Sequence, residues 1–355
     1  MNSLNQKIKI ATILPYKENY TYSSAQAAAI WVCDFFKYSK YNNDNFIFGN
    51  TQGKDYLTKN YINIPIQFKK SKFVSTTREY CQNFIKKIKN DNFEIIEIHN
   101  RPQILNILKK EIKTKFILYF HNDPLSMKGS KTSSERLNLL NSADKIIFVS
   151  QWTRKRFFND LDKKLIDKSE VVYPSIHKSK KIYKKNKNIV FVGKLNKSKG
   201  YDIFGKAVIN TLNKYPNWKA IVIGDEPREK IIFNHIRFKI LGFLDHKKVS
   251  NWFKKSHIAV ICSRWNEPFG RTALEATSNG CAVIISNKGG LPEAAPKAIK
   301  INNLNVNSVK LAIERLIKNK KLRTNLQKKC FKNFYLTNSL ISKKIDNYRN
   351  KLIKF

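Results

Sequence analysis

The sequence predicts an α/β protein with two doubly wound parallel sheets. Short apolar runs alternate with segments of helical period along the chain, which is the pattern of parallel strands joined by crossover helices. The 355 residues are enough for two domains of roughly 150 residues each. The alternation stops at the lysine-rich segment 178–188 and then restarts, so this segment is predicted to be an exposed linker.

The individual elements follow from the apolar runs and the helical spacing. In the first half, strands are predicted over 8–14, 93–98, 115–120 and 145–149, and helices over 24–37, 103–110, 133–141 and 153–159. In the second half, strands are predicted over 188–192, 219–223, 236–241, 258–262, 282–285 and 298–301, with helices between them and a helical tail from about Ser308. Ligands bind beyond the carboxyl ends of the strands in such sheets, so the residues that follow each strand are the candidates for chemistry.

Composition excludes several classes of protein. A hydrophobic content of 42% and an aromatic content of 12% exclude a disordered polyelectrolyte. No apolar run approaches the roughly 18 residues of a membrane span, and the first residues lack the apolar region of a signal peptide. The five cysteines form no close pair, which argues against a disulfide framework or a zinc site. We therefore expect a cytoplasmic protein.

The net charge leaves two interpretations open. The 68 basic and 26 acidic residues give +42, which suits a polyanionic partner such as nucleic acid or an anionic membrane surface. The alternative is compositional drift, because the chain is also rich in Asn and Ile. A nucleic-acid-binding protein is the rival function, but the aromatic residues lie inside apolar strands and form no basic–aromatic ladder. We therefore expect no nucleic acid partner.

The segment 257–293 contains the densest set of candidate residues. A strand is followed by a loop with Glu267, and a helix begins near Phe269 or Gly270. Glu275 lies inside that helix, four residues after Arg271. In a purely structural interpretation, Glu267 caps the helix and Glu275 pairs with Arg271. The backbone amides predicted to form an anion site at this helix N-terminus belong to Gly270, Arg271 and Thr272.

The string EPFGRTALEA, followed by GGLPE, resembles the donor site of glycosyltransferase family 4. Members of that family have two Rossmann-like domains facing across a cleft, the GT-B fold, and transfer a sugar from a nucleotide with retention at the anomeric carbon. The resemblance implies that Glu267 binds donor-sugar hydroxyls and that Glu275 binds the ribose. It also implies that the backbone of Phe269, Gly270 and Arg271 contacts the sugar and phosphate.

A second element, NIVFVGKLNKSKGYDIF (188–204), supports the resemblance. Gly193 ends its strand, and Lys194 and Lys199 flank the turn that follows. Two cations at a strand end suit a diphosphate. The family usually has arginine where this chain has Lys194, so the charge is kept but the bidentate fork is lost.

Two strand-end histidines complete the candidate set. His121, in HNDP, resembles the family's histidine near the donor phosphates and the reacting carbon, and Asn122 follows it. His99, in HNRP, resembles the acceptor-side strand. The family's paired glycines after the first strand are missing here, and the small residues Ser23 and Ser24 are expected to replace them on the acceptor side.

The resemblance thus implies a retaining, hexosyltransferase-type enzyme, and we expect it to need no cofactor and no metal. The domain over 1–180 is expected to bind the acceptor and the domain over 181–335 the nucleotide sugar. Family resemblance implies that a helix within 336–355 crosses back to the first domain. The acceptor is expected to be a glycan or a lipid-linked glycan of surface polysaccharide or lipopolysaccharide synthesis, which leaves open docking on the inner membrane face.

Two further alternatives remain at this point. A sugar-nucleotide epimerase or a phosphorylase would use the same fold for another reaction. Asp160-Leu161-Asp162 matches the short acidic motif of metal-dependent glycosyltransferases, although its charged surroundings favour a surface turn.

Overall fold

The computed structural model describes residues 8–66 and 75–353, and the chain divides into two compact units. Unit 1 comprises Met1–Ser175 and Asn338–Phe355, and unit 2 comprises Ile176–Thr337. Both are α/β units with all-parallel sheets, which confirms the predicted fold class.

The described part of unit 1 contains a seven-stranded sheet in the order β3-β2-β1-β4-β5-β6-β7. Its strands are β1 (Ile10–Ile13), β2 (Asn45–Gly49), β3 (Tyr61–Asn63), β4 (Ile95–His99), β5 (Lys115–Phe120), β6 (Lys145–Phe148) and β7 (Ser169–Val171). Its helices are α1 (Ala27–Phe36), α2 (Thr76–Lys87), α3 (Pro102–Glu111), α4 (Ser133–Ser142), α5 (Gln151–Phe157) and, at the end of the chain, α12 (Asn338–Ile353), with 3-10 turns at Pro124–Ser126 and Lys163–Lys168. The strand order reverses between β1 and β4, which makes this pair the switch point where doubly wound sheets bind ligands.

The described part of unit 2 contains a six-stranded sheet in the order β10-β9-β8-β11-β12-β13. Its strands are β8 (Asn186–Val192), β9 (Lys219–Ile223), β10 (Phe238–Ile240), β11 (Ser256–Ile261), β12 (Ala282–Ser286) and β13 (Ile299–Ile301). Its helices are α6 (Tyr201–Lys214), α7 (His246–Lys255), α8 (Arg271–Ser278), α9 (Leu291–Ala294), α10 (Val306–Lys318) and α11 (Lys320–Lys332). The switch point of this unit lies between β8 and β11.

Most of the lysine-rich segment 178–188 is exposed, as the sequence predicted, but the segment lies within unit 2 instead of between the two units. The Lys185 ammonium donates to the carbonyl oxygens of Phe253 at 3.1 Å, Lys254 at 3.2 Å and Asn279 at 3.0 Å. The Ser179 hydroxyl donates to the Asn279 side chain at 2.6 Å. The segment is held against unit 2 because its lysine satisfies carbonyl groups at the ends of two helices.

Candidate functional site

A small pocket of about 40 Å³ lies at the switch point of unit 2. Gly193, directly after β8, and Ser263, shortly after β11, line it from the sheet. The first turn of α8 lines it from the other side, together with Lys199 and Glu267. The N–H groups of a helix start therefore meet the carboxyl edge of a parallel sheet here, which favours an anionic ligand.

Lys199 and Glu267 form an ion pair in this pocket through Nζ and Oε1. Their side chains are 28% and 11% exposed, so the pair is only partly in contact with water. The Lys199 ammonium also lies 5.0 Å from the centre of the Trp265 ring, and its backbone N–H donates to the Asn196 side chain at 2.9 Å. The two residues assigned to diphosphate and sugar are thus adjacent.

The other candidate glutamate, Glu275, is buried on α8 and forms an ion pair with Arg271. Arg271 Nε lies 3.1 Å from its Oε1, and His246 Nδ1 lies 3.7 Å from the same oxygen. The Arg271 pairing of the structural interpretation is therefore present. Glu275 does not line the pocket itself; it lies within the helix whose first turn does.

The motif GGLPE packs directly beneath the Glu267 loop. The Gly290 N–H donates to the Glu267 carbonyl at 2.7 Å. A Cβ at Gly290 would lie 2.3 Å from the Pro268 carbonyl oxygen, and one at Gly289 would lie 2.3 Å from the Glu267 carbonyl oxygen. Only glycine fits at these two positions, so the motif fixes the backbone that presents Glu267.

The remaining predicted donor residues do not all lie at the pocket. Phe269 is buried, and Gly270 caps α8 with φ +106°. Lys194 is exposed and is not among the residues that line the pocket, so the structure does not bring it together with Lys199. Sequence reasoning gave no role to Ser263 or Trp265, although both follow β11 within the segment that it singled out.

A larger cavity of about 690 Å³ lies at the switch point of unit 1. The segments that line it follow β1 (15–18), β4 (100–103) and β5 (Asn122). Residues 75–77 at the start of α2, residues 126–128 and Gln26 also line it. Most of its lining side chains carry hydroxyl, amide or charged groups. Such a lining suits a polyhydroxylated ligand.

Glu18 is the one carboxylate among the described residues that line this cavity, and the sequence analysis missed it. Its Oε2 accepts the Ala29 N–H in the first turn of α1 at 3.1 Å. Burial raises the pKa of Glu18 to about 7, against the opposing effects of the Ala29 N–H and the Arg101 charge. Asn100 and Arg101 both have positive φ, 56° and 53°, which costs about 1–3 kcal/mol each and marks this turn as a functional candidate.

The two predicted histidines lie side by side at the ends of β4 and β5. His99 Nδ1 and His121 Nε2 are 2.8 Å apart. His99 is fully buried and stacks on Tyr119 with ring centres 4.3 Å apart, so its side chain does not reach a ligand directly. His121 is partly exposed, and its backbone N–H donates to Asn100 Oδ1 at 2.8 Å.

The other acceptor-side residues divide between cavity and surface. Asn122 lines the cavity. Ser23 and Ser24 are exposed, bond to the Thr21 hydroxyl at 3.4 and 2.7 Å, and lie outside the lining. The loop after β1 therefore has no glycines, and it contributes the Glu18 side chain to the cavity instead.

The acidic DLD motif forms a surface turn. Asp160 adopts φ 61°, and Asp162 Oδ1 accepts the Lys164 N–H at 2.9 Å. The described residues contain no group of three or more His, Cys, Asp or Glu side chains arranged to hold a metal ion. Across the same residues, no helix combines the length and apolar character that a membrane span needs.

Comparison with known proteins shows a likeness to one protein family. Residues 172–333 match the family model for glycosyl transferases group 1. The match covers most of unit 2 and less than half of the whole chain. The resemblance to glycosyltransferases that the sequence predicted is therefore confirmed.

Curated relatives match over shorter stretches than their full length. Spore coat protein SA of Bacillus subtilis (strain 168) is 26% identical over 240 residues, which are 58% of this chain and 63% of that protein. The lipopolysaccharide core biosynthesis mannosyltransferase LpsB of Rhizobium meliloti (strain 1021) is 30% identical over 111 residues, 28% of this chain and 31% of LpsB. The chain thus spans less than two thirds of the length of either relative.

The fold itself matches over almost the whole chain. The crystal structure of Anabaena Alr3699/HepE in complex with UDP and glucose has a TM-score of 0.72 at 14% identity and covers 97% of this chain and 99% of that chain. This likeness concerns the fold, and it confirms the predicted GT-B class.

Proposed function

We propose that the protein is a retaining glycosyltransferase that moves a hexose from a nucleotide sugar to a glycan acceptor. The observation that carries this proposal is the Lys199–Glu267 pair, which sits at the switch point of unit 2 beside the first turn of α8. The complex of Alr3699/HepE with UDP and glucose supports a nucleotide-sugar donor, because the two chains share a fold. The likeness to LpsB supports a place in polysaccharide or lipopolysaccharide synthesis.

Different residues of unit 2 bind different parts of the donor. The donor diphosphate is bound by Lys199 and by the N–H groups of Gly270, Arg271 and Thr272, with Gly193 in the same pocket. Glu267 accepts hydrogen bonds from the sugar hydroxyls, and Glu275 accepts them from the ribose. Carboxylates are acceptor-only groups with about four lone-pair sites, which suits pairs of neighbouring hydroxyls.

The reaction is a front-face substitution at the anomeric carbon. The acceptor hydroxyl attacks from the side of the leaving group, so a bond forms to the acceptor oxygen while the bond to the diphosphate breaks. The hydroxyl proton passes to a phosphate oxygen. Lys199 and the start of α8 stabilise the charge that develops on the departing diphosphate, so no metal and no other cofactor is required.

The acceptor belongs to the cavity of unit 1. Its lining of hydroxyl, amide and charged groups favours the carbohydrate part of the acceptor, with any lipid portion outside the cavity. Glu18 and Asn122 bind acceptor hydroxyls, and His121 donates a hydrogen bond to a reacting oxygen. Such acceptors are synthesised on the cytoplasmic face of an anionic membrane, where the charge of +42 favours peripheral binding.

Thermal shift with UDP-, GDP- and ADP-sugars tests the proposal. A ligand at 100 times its Kd stabilises the folded state by about 2.7 kcal/mol, and we expect one nucleotide sugar to raise the Tm of unit 2 by about 5–10 °C. Lys199→Met is expected to abolish the shift. Lys206→Met, an exposed lysine of α6, is the matched control and is expected to keep it. If no nucleotide sugar shifts the wild type, or if both variants respond alike, the donor site is wrong.

A further inference from the structure

His99 and His121 form a partly buried hydrogen bond whose direction decides what His121 can do. Their ring nitrogens, Nδ1 of His99 and Nε2 of His121, are 2.8 Å apart. One nitrogen must carry the hydrogen and the other must offer its lone pair. The free nitrogen of His121, Nδ1, is therefore a donor in one arrangement and an acceptor in the other.

Both rings are neutral at physiological pH, so each carries one hydrogen. Burial and the positive charge of Arg349 lower the pKa of His99 to about 3. Burial and the neighbouring His99 lower the pKa of His121 well below its usual value. Arg349 is itself buried and ion-paired with Glu97 at 2.6 Å, so its position is fixed.

The surroundings of His99 distinguish the two arrangements. His99 Nε2 is buried and has no hydrogen-bond partner among the described residues. The same holds for the indole Nε1 of Trp31, whose ring centre lies 6.0 Å from that of His99 and 4.8 Å from that of His121. A hydrogen on His99 Nε2 would place two unmatched N–H donors in one buried cluster. A bare His99 Nε2 leaves one donor and one acceptor there, which is the less costly combination.

We infer that His99 is a positioning residue that fixes the tautomer of His121. His99 donates from Nδ1 to Nε2 of His121, and His121 keeps its own hydrogen on Nδ1. His121 then carries an N–H at Nδ1 and has no free lone pair with which to accept the acceptor's proton. Its role is to donate a hydrogen bond to an oxygen. This meaning for catalysis rests on the proposed function, whereas the tautomer does not.

Long-range ¹H–¹⁵N spectra of protein labelled at its histidines test the inference directly. The signals are assigned by comparing wild type with His99→Asn and His121→Gln. We expect both rings to show the pattern of a hydrogen on Nδ1, unchanged from pH 5.5 to 8. A hydrogen on Nε2 of either ring, or protonation within this range, overturns the inference and leaves the glycosyltransferase proposal untouched.

A matched pair of variants separates tautomer control from packing. His99→Asn places an amide donor near the position of Nδ1, so His121 is expected to keep its hydrogen on Nδ1. His99→Phe fills the space without a donor, and His121 is expected to shift toward the form with its hydrogen on Nε2.

If the proposed reaction holds, turnover is expected to be higher in His99→Asn than in His99→Phe. It is expected to fall by about tenfold or more in His99→Phe relative to His99→Asn, as a wrong histidine tautomer does elsewhere. Equal tautomer populations of His121 in the two variants contradict the inference, whatever their melting temperatures. Equal turnover despite different tautomers removes its catalytic meaning.

Discussion

Replacing Glu267 by Gln separates binding from catalysis at the donor site. Glu267 neutralises Lys199, and in the proposed donor site the same carboxylate is close to the negative charge of the diphosphate. Glu267→Gln removes this repulsion and frees the ammonium. The affinity for the free nucleoside diphosphate is therefore expected to stay constant or to rise, although a donor-site residue has been altered.

The exposure of the Lys199–Glu267 pair sets the size of the expected change in nucleotide affinity. A charge-assisted hydrogen bond contributes about 1.5–3 kcal/mol when it is desolvated. Because the Lys199 side chain is 28% exposed and can turn toward water, the lower end applies. About 1.4 kcal/mol corresponds to a tenfold change, so the rise in affinity is expected to be about tenfold. Turnover is expected to fall by about 10²–10³, the usual cost of losing one preorganised polar contact in the transition state.

Calorimetric titration and a nucleotide-release assay measure the two quantities. Glu275→Gln is the comparison, because it is expected to weaken nucleotide binding by about 1.5–3 kcal/mol with less effect on turnover of bound donor. Melting temperature serves as the control for folding. The reasoning fails if Glu267→Gln weakens diphosphate binding as strongly as Lys199→Met, or if it turns over at the wild-type rate per folded molecule.

Four other outcomes are expected. Arg349→Met leaves Glu97 buried without its cation and should lower the unfolding free energy by about 3–5 kcal/mol in urea; a loss under about 1 kcal/mol contradicts this. The pKa of Glu18 is raised to about 7, so between pH 4.5 and 7 the folded state binds a proton that the unfolded state releases. This group should therefore reduce the stability of the fold as pH rises from 4.5 to 7, and Glu18→Gln should flatten that loss in pH-dependent melting. Turnover should persist in EDTA, and its loss with recovery in Mg²⁺ would return attention to Asp160 and Asp162. Binding to anionic vesicles should weaken with salt, and equal binding to neutral vesicles at low salt would favour compositional drift.

The sequence was most informative where local pattern decides structure. The run KFILYF predicted β5 with its observed bounds, because a fully buried parallel strand is apolar throughout. The predicted helix start near Gly270 matches α8, which begins at Arg271. The strands β2, β3 and β7 and the helix α2 were missed. NFIFG and YIN are short and lie among asparagines that resemble turns.

Long-range pairs could not be read from the sequence. Glu97 and Arg349 are 252 positions apart, and nothing local indicates that one neutralises the other. Glu18 likewise stands in a loop without a motif, and only the fold brings it to the wall of a cavity with Asn122. The roles of Glu267 and Glu275 stay predictions. The position of Glu267 in the pocket supports the donor assignment, whereas the pairing of Glu275 with Arg271 also fits the structural interpretation.

Hydrogen–deuterium exchange with the nucleotide sugar that binds most tightly tests the location of the donor site most directly. On saturation we expect slower exchange in the peptides that cover 193–201 and 263–275, since both line or support the switch-point pocket of unit 2. Lys199→Met should remove this protection at the same ligand concentration, and Lys206→Met should keep it. Protection confined to other peptides, with these two unchanged in the saturated wild type, would contradict the account.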